Sequence, residues 1–292
     1  MRMNSVNSLV MNFAVTFAKA LSAKAILISS DVVQEQLTLE DEEVRSRIIL
    51  VWKRQREDEA PEGDFGKMIA IPNVNVTPVS QMKIAIIKGL ATGMFGPEDK
   101  MVCLTGSPKS DYIENIFVVD VDSEFEILAS EDISSIFEGV QPEVFDAVLN
   151  VALELAAQGR EGRPVGTIFV IGDHEKVMEL SRQMIINPFM GYSEEERNIM
   201  DRDLKETIKE FSALDGAFVI KENGVLITAG RHLNVALESG KEFPKGLGSR
   251  HIVAAGITNV TNAIAVVVSE STGTVRVFRK GKIFVDIEKA LG

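Results

Sequence analysis

Apolar residues between positions 9 and 21 recur at helical spacing (Leu9, Phe13, Phe17, Ala20, Leu21), and residues 25–28 then form an unbroken apolar run. The first pattern predicts an amphipathic helix and the second a buried strand. Residues 48–52, 68–71, 101–104 and 116–121 repeat the strand pattern, with Pro72 and Gly106 as stops. Residues 82–90 predict a helix, and the charged residues 53–59 a loop or helix end. Short apolar strands alternating with amphipathic helices predict a parallel sheet covered on both faces.

The pattern changes near residue 125. Residues 132–137 and 142–157 predict helices, the second opened by Pro142. Residues 159–164 form a turn and 167–171 a strand closed by Gly172. Ser193, with Glu196 three residues on, predicts an N-cap for a helix running to Phe211. Four strands follow at 217–221, 225–229, 263–268 and 274–278. Asn223-Gly224 marks a tight hairpin between the first two. The expected fold class is α/β: an N-terminal parallel-sheet domain over residues 1–125, then a mixed-sheet α/β domain over 126–292. No internal repeat or low-complexity segment interrupts it.

A length of 292 residues agrees with two domains, since one core seldom serves so long a chain. With 45% hydrophobic and 25% charged residues the chain reads as folded and soluble. A net charge of -12 argues against broad binding to nucleic acid or to anionic membrane, while leaving room for a small basic phosphate pocket. The one cysteine, Cys103, excludes an internal disulfide and reads as a buried strand residue. No secretory leader or bilayer-length apolar run is apparent, so a cytoplasmic location is expected.

The candidate chemistry lies between residues 215 and 273. Asp215-Gly216-Ala217 sets a carboxylate at the entrance to an apolar strand. It could hold Mg²⁺ or Mn²⁺, which prefer oxygen ligands, or take a proton from a sugar hydroxyl. It also reads as a plain Asp-Gly turn. Gly248-Ser249-Arg250-His251 follows a stretch with Lys241, Pro244, Lys245 and Gly246, and precedes an apolar helix start at 252–256. Glycine allows close backbone approach to an anion, arginine offers a planar fork of donors, and a helix N-terminus favours negative charge. A capped helix with a solvent-facing arginine is the plainer alternative. Ser269-Glu270-Ser271-Thr272-Gly273 reads as a polar hairpin turn, or as a serine on phosphate with a carboxylate near a metal. His232 reads as lining a pocket or as a plain loop residue, and His174 as a surface or cap residue. The histidine spacing does not suit zinc.

In this order the motifs resemble the diadenylate cyclase domain, whose members join two ATP molecules into cyclic di-AMP. Leu214-Asp215-Gly216-Ala217, Gly248-Ser249-Arg250-His251 and the run from Ala263 to Gly273 carry the resemblance, over about residues 127–292. Ile185-Ile186-Asn187-Pro188-Phe189 resembles the family's helical segment ahead of the first motif. The resemblance implies a metal-dependent enzyme using Mn²⁺ or Mg²⁺, held by Asp215 and Glu270. It implies catalytic roles for Asp215, Gly216, Ala217, Arg250 and His251. It implies ATP contacts from Gly216, His232, Leu233, Gly248, Ser249, Arg250, His251 and Ser269. Two domains of a homo-oligomer would meet face to face, each holding one ATP. Ile252 departs from the family pattern, which often has a further arginine there; a non-catalytic adenine-nucleotide sensor is the alternative. More weakly, residues 18–27 and 88–106 are similar to the C-terminal α/β domain of pyruvate kinases. Joined to a cyclase domain, this points to the archaeal type, with a part in assembly or regulation.

Overall fold

The computed structural model describes residues 5–33, 46–54, 67–107, 110, 112–125, 137–235 and 247–290, and the chain divides into two units, Met1–Ile133 and Ser134–Gly292. The first contains α1 (Ser5–Ala20), β1 (Ala25–Ser29), β2 (Ile48–Arg54), β3 (Lys67–Pro72), α2 (Pro78–Ala91), β4 (Lys100–Thr105), β5 (Asn115–Asp120) and the single turn α3 (Val121–Glu124). Its strands lie in the order β3-β2-β1-β4-β5. Met11, Ala14 and Ala18 of α1 pack on Ile26, Ile28, Leu50, Val102 and Leu104. Strand side chains alternate, so Leu27, Val51 and Cys103, all 0% exposed, face the other way. There α2 covers the sheet, with Gln81 Nε2 donating to Ser29 Oγ at 2.8 Å. Thr77 caps α2 and Pro78 opens it. Burial of Cys103 holds its thiol well above the ordinary range, an inert core group as expected.

The sheet departs from the all-parallel expectation at one edge, where β5 runs antiparallel to β4. Only residues 106–114 link them, and a link that short suits an antiparallel neighbour.

The second unit contains α4 (Pro142–Gln158), β6 (Thr167–Ile171), α5 (His174–Glu179), β7 (Ser181–Gln183), α6 (Leu204–Phe211), β8 (Ala217–Ile220), β9 (Leu226–Leu233), α7 (Ser249–Val260), β10 (Ile264–Val268), β11 (Val275–Arg279) and β12 (Lys282–Ile287). Its mixed sheet has the order β12-β11-β10-β6-β8-β9-β7. Only β6 and β8 are parallel neighbours. Ala254, Ala255 and Ile257 of α7 pack on Ile168, Val170, Ala217, Val219, Ala265 and Val267. Small residues on that helix let it lie close to the strands. The opposite face carries Phe169 and Phe218, with ring centroids 4.9 Å apart, and α4.

The helix expected from Ser193 to Phe211 is shorter than its pattern suggests. The capping box forms, with Ser193 N donating to Glu196 Oε2 at 2.9 Å, but the helix does not propagate from it. Instead Leu226 N donates to Arg197 O and Ile199 N to Gly224 O, both at 2.8–2.9 Å. The sheet edge takes the groups a helix would need, and only α6 is helical. Residues 185–189 are likewise not a helix: Met184 N bonds Gly230 O and Asn187 Nδ2 bonds Ile227 O along the flank of β9. Pro188 also disfavours a helical residue before it. The helix expected at 132–137 falls outside the described residues except for Phe137, which lies in a bend against Phe145 and Phe284.

Candidate functional site

The directions of the central strands gather the motif residues. The starts of β6 and β8 and the ends of β9 and β10 meet at one edge of the sheet. Ile168 pairs with Ala217, and Gly166 and Asp215 each lie two residues before that pair, just ahead of their strands. Thr167 pairs with Val268, which sets Ser269 beside Gly166. α7 starts at the same edge. Its Arg250 donates from Nη1 to Glu270 Oε2 at 3.1 Å, while Nη2 stands 3.6 Å from Asp215 Oδ1. Asp215 and Glu270, 55 positions apart in sequence, are thus joined through one guanidinium.

Gly216 cannot be replaced without moving the backbone. Its φ is +106°, and a Cβ there would stand 2.6 Å from the carbonyl carbon of Gly230. The close crossing of Gly216 and Gly230 turns Asp215 outward, with its side chain 90% exposed. Ala217, 1% exposed, belongs to the core beneath.

Gly248 is the N-cap of α7, and among the described residues no side chain caps its first turn. Ser249 is exposed, so the helix presents free N–H groups, a hydroxyl and the Arg250 fork on one side. Such an end is suited to a polyanion. α7 begins three residues before the expected apolar start. The preceding Lys241, Pro244, Lys245 and Gly246 lie outside the described residues.

His251 points elsewhere. It is 4% exposed, its ring lies 6.1 Å from Phe278, and Nε2 receives a hydrogen bond from Arg276 Nη1 at 3.0 Å. Arg276 in turn donates from Nε to Asp286 Oδ2 at 2.9 Å. Burial, and then the Arg276 charge, hold the imidazole below its ordinary range. His251 therefore supports the first turn of α7 from beneath rather than facing the open side as the motif suggests.

The other expected residues divide similarly. His232 is exposed and lies within β9, not after it, with Nδ1 at 2.9 Å from Asn234 Oδ1. Leu233 is 3% exposed and packs in the core, leaving its backbone as the part able to meet a ligand. Ser269 is 8% exposed, in the turn joining β10 to β11, and its hydroxyl lies 3.4 Å from that of Ser271. His174 opens α5 and pairs with Glu222 at 3.3 Å. Sequence reading missed Gly166, Arg276 and Asp286. A lone cation between Val275 and Val277 in a strand was the available signal for Arg276.

Among the described residues no group of three or more His, Cys, Asp or Glu side chains is placed to hold a metal. Asp215 and Glu270 nevertheless both approach Arg250, one at each terminal nitrogen of its guanidinium. That set suits Mg²⁺ or Mn²⁺ shared with phosphate oxygens and water, since such ions often take only one or two protein carboxylates.

Comparison with known proteins bears on this edge. Residues 154–283, from α4 into β12, match the family model DAC, described as "DisA bacterial checkpoint controller nucleotide-binding". A diadenylate cyclase of Methanocaldococcus jannaschii is 40% identical over 199 residues, covering 68% of this chain and 63% of that protein. One of Haloferax volcanii is 44% identical over 147 residues, covering 50% of this chain and 53% of that protein. The C-terminal unit is a domain of the diadenylate cyclase family. The archaeal relatives agree with the archaeal type inferred from the sequence. Residues 7–128, ahead of the DAC domain, match the model DacZ_P, described as "Probable sensor domain DacZ_P". The chain thus spans less than two thirds of the length of these two relatives. DacA from Staphylococcus aureus, in a double-mutant form, aligns over 51% of this chain and 87% of its own at 22% identity and a TM-score of 0.32. No described helix is long and apolar enough to cross a membrane.

Proposed function

We propose that the DAC domain condenses two ATP molecules into cyclic di-AMP, releasing two pyrophosphates, across a face-to-face pair of subunits. Each ribose 3′-oxygen attacks the α-phosphorus of the other nucleotide. The bond from that phosphorus to the bridging oxygen of pyrophosphate breaks, and its electron pair leaves with pyrophosphate. The observation that carries the reading is Arg250 at the open start of α7, set between Asp215 and Glu270. Asp215, exposed beside the Gly216 turn, takes up the hydroxyl proton. The α7 N-terminus, Ser249 and Arg250 hold the triphosphate, with Ser269 and the backbone near Gly216, Gly248 and Leu233 completing the ATP contacts. His251 keeps the first turn of α7 in place, and His232 lines the rim.

Asp215 and Glu270 would hold Mg²⁺ or Mn²⁺ with the phosphates, and the ion supplies charge neutralisation for departing pyrophosphate. Positioning and electrostatics supply most of such a rate, so no covalent intermediate is required. A single half-site cannot close the ring, hence the homo-oligomer. The N-terminal domain serves assembly or regulation of the enzyme, which works in the cytoplasm.

Incubating the protein with ATP and Mg²⁺ or Mn²⁺ should yield cyclic di-AMP by mass spectrometry. Ile252, 38% exposed on the first turn of α7, brings no charge to the phosphate side and favours a second reading, a nucleotide sensor without turnover. Bound ATP with no product under either metal would establish that reading instead.

A further inference from the structure

We infer that Gly166 is a positioning residue for Arg250: the space left by its missing side chain is the floor on which the guanidinium lies. This rests on the nucleotide-condensing reading of the same edge. Gly166 immediately precedes β6, whose first residue Thr167 pairs with Val268 and whose second, Ile168, pairs with Ala217. It is buried, so it forms a floor and not a rim. A Cβ built on it would stand 2.7 Å from Arg250 Nη1, 3.0 Å from Arg250 Cζ and 2.9 Å from Glu270 Cβ. Real Cβ atoms essentially never approach other atoms under 3.0 Å, so something must give.

What gives can be decided from the geometry. Gly166 is not among the glycines with positive φ, so alanine meets no backbone penalty there. The demand at this position is for space alone. Glu270 Cβ is fixed to the chain at the end of β10, whereas the Arg250 guanidinium is the far end of a flexible side chain. A methyl group at 166 would therefore expel the guanidinium from its place between Glu270 and Asp215. The guanidinium has solvent to move into, because Arg250 is a third exposed, and Glu270 Cβ has to give only slightly. The site would not tolerate this, because the fork would no longer point across the edge between the two carboxylates. Gly216 protects a backbone crossing, whereas Gly166 protects the placement of one cation.

The test is a double-mutant cycle of Gly166→Ala and Arg250→Ala in the full chain. It is read by the affinity for a non-hydrolysable ATP analogue, by the KM and kcat of cyclic di-AMP formation, and by Tm. Gly166→Ala should weaken analogue binding and raise KM by tenfold or more, with Tm within a few degrees of the wild type. In the Arg250→Ala background it should change affinity less than twofold, since no guanidinium remains to be displaced. If Gly166→Ala folds poorly, adding Arg250→Ala should recover part of the lost Tm, since it removes the two contacts with the guanidinium while the one with Glu270 Cβ stays. Equal losses in both backgrounds, unchanged affinity in Gly166→Ala, or a lowered Tm that Arg250→Ala fails to raise would each overturn the inference. Wild-type protein that binds the analogue without forming product would overturn the cyclase reading, while the affinity cycle still decides the role of Gly166.

Discussion

Asp215→Asn separates a catalytic carboxylate from a structural one, because the fold gives Asp215 almost nothing to stabilise. Its side chain is 90% exposed, and Arg250 Nη2, its cation partner among the described residues, is 3.6 Å away, too far for a good hydrogen bond. An exposed pair of this kind contributes about 0–1 kcal/mol. A change of 1 kcal/mol moves Tm by about 2–4 °C for a unit of this size, so the variant should melt within about 4 °C of the wild type. The outward turn comes from Gly216 and Gly230, which the substitution leaves intact. Asparagine keeps the shape but can neither accept the ribose proton nor supply a charged ligand to a metal. Loss of a general base alone costs about 100-fold to 10,000-fold. Cyclic di-AMP formation should therefore fall at least about 100-fold, with ATP binding partly retained through Arg250 and the start of α7. The assay pairs product quantification with thermal melting on the same preparation. Wild-type rates in Asp215→Asn would make the carboxylate dispensable, and activity lost only alongside a collapse in Tm would make it structural; either result excludes the catalytic role.

Other consequences can be checked separately. His251 titrates below the ordinary imidazole value of about 6.5 because it is buried and faces Arg276. As pH falls through that value the unfolded chain gains a proton that the folded chain resists, so stability is level above it and drops below it. Melting curves from pH 7.5 to 5.5 should show a shallower acid-side fall in His251→Gln than in the wild type; identical slopes would contradict this. Phe218, 1% exposed and packed on Phe169, should cost about 3–5 kcal/mol as Phe218→Ala in urea titration, and a loss under about 1 kcal/mol would contradict the core described. Ile252→Arg adds a cation to the exposed first turn of α7 and should tighten ATP about twofold to fivefold, equivalent to about 0.5–1 kcal/mol, with unchanged titration as the contrary result.

Local pattern made much of this molecule legible. The apolar runs at 25–28, 101–104, 167–171 and 217–220 lie in β1, β4, β6 and β8, since residues buried on both faces leave an unmistakable signature. The Asn223-Gly224 hairpin was legible for the same local reason. What failed depended on partners distant in sequence. The box at Ser193 and Glu196 reads as a helix start, and only the edge of β9 diverts the chain that follows it. The short β7 has no pattern of its own and exists because Arg231 and Leu233 pair with it. At the site, Asp215, Arg250 and Glu270 were named from sequence, but the guanidinium joining them was not. His251 looked like a companion of Arg250, yet consecutive helical residues face different ways, and it turns toward Arg276. Gly166 was invisible because its contribution is an absence of atoms, measurable only once Arg250 lies over it.

The most direct test is the stoichiometry of the reaction in the purified protein. ATP consumed, pyrophosphate released and cyclic di-AMP formed would be counted in one quenched time course with Mg²⁺ and again with Mn²⁺. Two ATP should be consumed and two pyrophosphates released for each cyclic di-AMP. ATP that binds and stays intact, or that yields ADP and phosphate without a cyclic dinucleotide, would contradict it.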